Sequence, residues 1–208
     1  MTRSVRIGTD AVDGDRPGLS DRILDAAQRI VLQTGARRLS LTDVARLAGV
    51  ARPTLYRYFA TKDDLIDALG KREYRRFNSA MTAALAGKSG VARLEAAIDV
   101  VTAFLADQPP RHLVDLEPGF VHEQMARVLP MVTAAFVEVL DDSVYADVYP
   151  GGSLAAAAPR DLASALARTA LSHYIFPDSD PNAPGRHIRA AAGLPARGRR
   201  ASREPLDS

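Results

Sequence analysis

From Ser20 the chain alternates apolar and polar residues at helical spacing. Ile23, Leu24, Ala27, Ile30 and Val31 recur three and four positions apart, and Gly35 follows where a left-handed helix stop belongs. Ser40 is placed to cap a second, short helix, with Asp43 in a capping-box-like position three residues on. Leu41, Val44, Ala45, Leu47 and Ala48 supply its inner face, and Gly49 ends it. Val50 and Ala51 make a turn. A third helix is predicted from Arg52 to about Tyr58, with Pro53 tolerated because the first helical turn needs no internal N–H bond. Two short helices joined by a glycine-containing turn are the layout of a helix-turn-helix, with Val44, Leu47, Val50 and Leu55 expected to lock its angle.

Thr61 is placed to cap the next helix, with Asp63 and Asp64 near the positive end of its dipole. Its apolar residues run from Leu65 through Ile66, Leu69, Phe77, Met81 and Leu85, a rod of roughly 35 Å at about 1.5 Å per residue. Lys71, Arg72, Arg75 and Arg76 read as its solvated face, and the segment from Gly87 to Gly90 breaks it. Helices are also predicted over 91–106, briefly after Pro109 and Pro110, over 119–141 with a kink or restart at Pro130, over 160–176, and near 185–193. Residues 142–158 read as a loop, residues 1–18 as a disordered arm, and residues 194–208 as a disordered basic tail. No alternation supports a sheet. The predicted class is all-α, with a three-helix helix-turn-helix domain over 19–66 and a helical body over 67–193.

Composition narrows the chemistry. The 208 residues contain no cysteine, which excludes disulfides, thiol nucleophiles and zinc–cysteine sites and makes a reducing cytoplasm the expected location. No apolar run reaches the roughly 18 to 20 residues of a membrane span, so no membrane partner is expected. The net charge of +2 averages unlike parts: residues 1–80 hold 15 basic and 10 acidic groups, residues 81–182 hold 6 and 13, and residues 183–208 hold 6 and 2. A basic N-terminal part on an acidic, alanine-rich body suggests that one end meets a polyanion.

Residues 22–69, with LTDVARLAGV followed by TLYRYFATKDDL, resemble the DNA-binding domain of the TetR family of bacterial transcriptional regulators. One departure is Ala51, where that family usually has a Ser or Thr cap; losing it costs about 1 kcal/mol locally. The resemblance agrees with the physical reading, in which a short helix presents its exposed face to base edges while its borders hold phosphates. Arg52, Thr54 and Arg57 are the candidates for base or near-base contact, and the resemblance implies Thr42, Tyr56, Tyr58 and Lys62 as phosphate contacts at matching positions. Leu55 and Phe59 are assigned to the core. A single short helix reads few base pairs, so a homodimer on a palindromic double-stranded operator is expected. The resemblance implies a dimer interface on the last helices, where Leu162, Leu166, Ala170 and Tyr174 are the candidates; a helix within the chain's own core is the alternative.

The resemblance further implies a pocket in the body for a small, mainly apolar effector whose binding releases a repressor from its operator. Phe77, Met81, Phe104, Phe120, His122 and Met125 are candidate lining residues, each also compatible with ordinary core. His112, Glu117 and Glu123 are further polar groups in this region. The four histidines lack paired ligand spacing, no nucleophile elbow or phosphate-cradling glycine loop is present, and neither a metal, a cofactor nor catalysis is expected. The other readings are a constitutive DNA-binding protein whose body only dimerises, and a ligand-binding protein or enzyme with a vestigial helix-turn-helix.

Overall fold

The computed structural model describes residues 18–106, 112–149 and 159–195. The predicted N-terminal arm, Pro109, Pro110 and the tail beyond residue 195 lie outside them. All regular structure among the described residues is helical: α1 (Leu19–Thr34), α2 (Leu41–Ala48), α3 (Arg52–Tyr58), α4 (Lys62–Leu85), α5 (Gly90–Ala106), α6 (His112–Leu116), α7 (Pro118–Val139), α8 (Asp142–Val148), α9 (Pro159–Ile175) and α10 (Ala183–Ala191). Packing divides them into two units. Residues up to Thr34 and Arg38–Leu69 form one, and Gly35–Arg37 with Gly70 onward form the other.

In the first unit, α1 buries Ile23, Leu24, Ala26, Ala27 and Val31, and α2 buries Val44, Ala45 and Ala48. Gly49 takes the left-handed conformation at φ 66° as the α2 stop, and the next N–H, that of Val50, donates to the Ala45 carbonyl at 2.9 Å. The Arg22 guanidinium on α1 donates to the Ala48 carbonyl at 2.8 Å. This ties the last turn of α2 to α1. Two expectations change here. Ser40 makes no side-chain capping bond, and the Asp43 carboxylate pairs with Arg46 at 2.8 Å instead of reaching back. Leu47 is 47% exposed, so it does not lock the helix crossing. Its position follows Arg46 on the outer side, while Val44, Ala45 and Ala48 fill the inner one.

In the second unit one core joins Phe77, Met81 and Leu85 of α4 to apolar residues of α5, α7, α9 and α10. Arg189 of α10, 7% exposed, forms ion pairs with Glu95 and Asp99 of α5, both at 2.7 Å. It fastens α10 to α5. α7 continues through Pro130 as one element and does not restart there. The predicted loop after residue 141 begins with α8. Asp141 caps this helix, its carboxylate accepting from the N–H groups of Ser143 and Val144 at 3.0 Å and from the Ser143 hydroxyl at 2.7 Å. The Ser143 hydroxyl and the Val144 N–H hold its pKa below the usual carboxylate value. Leu194, assigned to the loose tail, is buried in the core. Its N–H donates to the Arg189 carbonyl at 2.9 Å, which seats it behind α10.

Candidate nucleic-acid interface

The presented face of the helix-turn-helix is α3. It starts after Ala51, which provides no side-chain cap, carries Pro53 in its first turn, and ends where Phe59 leaves helical geometry at φ −137°. Leu55 is fully buried and Phe59 is 8% exposed, so these two residues anchor α3 in the unit's core, as expected. Their neighbours turn outward. Tyr56 is 51% and Tyr58 45% exposed, and Arg52 and Arg57 are exposed beside them. The Arg57 guanidinium lies 5.8 Å from the Tyr58 ring centroid, a cation–π arrangement that limits the wandering of a long side chain. Thr54 is half-buried in α3, and Thr42 is half-buried in the first turn of α2.

After α3 the chain turns through Ala60 and Thr61 into α4. The Thr61 hydroxyl accepts from the Asp64 N–H at 3.1 Å, and the Asp64 carboxylate accepts from the Thr61 N–H at 2.9 Å and its hydroxyl at 2.8 Å. This reciprocal capping box fixes where α4 begins and therefore where Lys62, its first residue, stands. The structure thus gathers Arg52, Tyr56, Arg57 and Tyr58 on α3, with Thr42 and Lys62 on the flanking helices of the same unit.

Residues 23–69 match the family model described as bacterial regulatory proteins, tetR family. That segment is similar to the tetR family. Among curated relatives, an uncharacterized HTH-type transcriptional regulator of Mycobacterium tuberculosis is 43% identical over 70 residues, covering 33% of this chain and 35% of that protein. The HTH-type transcriptional regulator EthR of Mycolicibacterium smegmatis is 40% identical over 73 residues, covering 32% and 34%. The chain thus matches about a third of the length of these relatives. The solved structure of the fatty acid degradation regulator FadR from Bacillus halodurans is 18% identical, covers 86% of this chain and 96% of that one, and superimposes with a TM-score of 0.64. That likeness concerns the fold, including the helical second unit.

Within the second unit the predicted pocket residues occupy different surroundings among the described residues. Phe77 is 1% exposed and meets Phe104 edge-on at 4.9 Å between ring centroids, a packed core pair. Phe120 and Met125 are half-buried on α7, and His122 is exposed. Met81 alone of the six lines a groove of about 630 Å³ bounded by α4, α5 and α7. Glu117 has a different occupation. It is 4% exposed, and its carboxylate accepts from the N–H groups of Ala36 at 3.0 Å and Arg37 at 2.8 Å. Leu162, Leu166 and Ala170 of α9 face the unit's own core, and Tyr174 packs with Leu113 and Val121. The outward positions of α9 include Asp161, Ala165, Arg168, Ser172 and Ile175. Among the described residues no group of three or more His, Asp or Glu side chains is placed to hold a metal ion.

Proposed function

We propose that the chain is a DNA-binding transcriptional regulator that reads a palindromic operator as a homodimer. The observation that carries this reading is α3: a helix anchored by Leu55 and Phe59 whose opposite side presents Arg52, Tyr56, Arg57 and Tyr58 together. A short cationic and aromatic helix of this kind fits the major groove, with guanidinium groups for guanine edges and hydroxyls for phosphates. Thr42 and Lys62 supply phosphate contacts at its borders. The buried positions of Leu162, Leu166, Ala170 and Tyr174 favour dimerisation through the outward side of α9, where Ile175 is 37% and the following Phe176 77% exposed. The regulator acts as a repressor whose release is driven by a small molecule bound in the second unit. That ligand must bind the DNA-incompetent state more tightly, because equal affinity for both states shifts nothing.

The test is selection of genomic fragments by the purified full chain, followed by titration of an enriched fragment at fixed salt. Arg57→Ala is expected to weaken binding by about 1–3 kcal/mol and to relax preference at one base position. Tyr56→Phe is expected to weaken binding less, and equally across sequences. Unchanged affinity in both variants contradicts the assignment of α3.

A further inference from the structure

The groove bounded by α4, α5 and α7 has two unlike walls. Tyr74, Asn78 and Thr82 line it from α4 at four-residue intervals, and Met131, Ala134 and Ala135 line it from α7. Its volume of about 630 Å³ falls in the range of about 300–1,000 Å³ usual for small-molecule sites. At the α5 end stands Arg93. Its Nε is buried from solvent and has no hydrogen-bond partner, and among the described residues no carboxylate reaches ion-pair distance of it. Asp141 feels Arg93 only through space, as a minor influence on its carboxyl, and its Oδ1 accepts the three bonds that cap α8.

A guanidinium that gives up water at Nε without gaining an acceptor costs free energy unless an acceptor arrives from outside the chain. Nε with one terminal nitrogen is also the fork that grips a carboxylate through two parallel bonds. Lys88 stands on the same groove and donates to the Ala84 carbonyl at 2.7 Å, leaving two ammonium protons for a ligand. Glu138 is a lining carboxylate, so the groove carries two cations against one anion. The apolar side, with Met81 and Leu85 between the walls, suits a hydrocarbon body and not an inorganic ion.

We infer that this groove binds an amphipathic organic carboxylate, with Arg93 holding the carboxylate head and the α7 wall covering its apolar body. This site deepens the ligand-release reading above and rests on it for its regulatory meaning, while the binding itself does not depend on DNA. It also replaces the expectation of a mainly apolar effector with an anionic one.

The test is direct binding to the full chain, without DNA, of decanoate and 2-naphthoate, each compared with its methyl ester. The expected result is saturable binding of at least one carboxylate, with its ester weaker by about tenfold or more. Arg93→Gln abolishes that preference and Arg93→Lys restores part of it. Lys88→Ala, an exposed substitution, reduces it less and guards against misfolding of the Arg93 variants. The inference is overturned if neither carboxylate binds at millimolar concentration, if the esters bind as well, or if Arg93→Gln keeps the preference. A carboxylate that binds through Arg93 yet leaves an operator complex intact contradicts ligand-driven release and leaves the site standing.

Discussion

Single residues set the local geometry on which the larger reading depends. Gly35 ends α1 at φ +87°, and a Cβ there would lie 2.7 Å from Cδ of Glu117. Glycine is therefore required twice, for the left-handed backbone and for clearance. The same carboxylate satisfies the N–H groups of Ala36 and Arg37. Gly35→Ala is expected to cost about 2–4 kcal/mol, combining strained backbone with displaced buried hydrogen bonds, and urea unfolding of the purified variant checks it. His173 carries a pH effect. Burial, and then His187 at 3.2 Å between ring nitrogens, hold its pKa below the usual 6.5, while Asp178 opposes them. The unfolded chain therefore takes up the proton first, so stability is complete above about 6.5 and falls as pH drops toward the folded value. The expected outcome is a fall in Tm on acidification that is smaller in His173→Gln, read by thermal unfolding across a pH series.

At the scale of elements, α10 is held as much by charge as by apolar contact. Arg189→Met removes the shared partner of Glu95 and Asp99; the expected loss is about 2–3 kcal/mol, less than for a fully buried pair because Asp99 is half-exposed. Loss of helical signal from a single turn or two, before global unfolding, is the measurement to seek. Most elements were legible in the sequence because apolar spacing and glycine stops coincide, as at Gly35 and Gly49. α8 was not. Its seven residues are too few for a repeating apolar face, and only the Asp141 cap with Ser143 marks its start. The exposure of Leu47 was equally hidden, since helical spacing alone does not say which apolar residue of a short helix turns outward. The α3 residues were legible through their motif order. Arg93 was not, because a groove arises from three helices distant in sequence, and an arginine in an alanine-rich helix has no local signature.

Across the whole molecule, charge is unevenly divided between the two units. The basic stretch 1–80 contains the unit that presents α3, and the acidic stretch 81–182 supplies most of the groove's lining and the outward face of α9. Under the proposed function the two units meet different partners, a polyanion and a small molecule. The central claim is that α3 reads sequence and does more than attract polyanions. It is tested most directly by titrating the full chain with a selected fragment and with a scrambled fragment of equal length over a series of salt concentrations. The account predicts tighter binding to the selected fragment by about 10³-fold or more at physiological salt, with half-sites about 34–36 Å apart and the preference lost in Arg57→Ala. Equal affinity for both fragments, rising and falling together with salt, would contradict it.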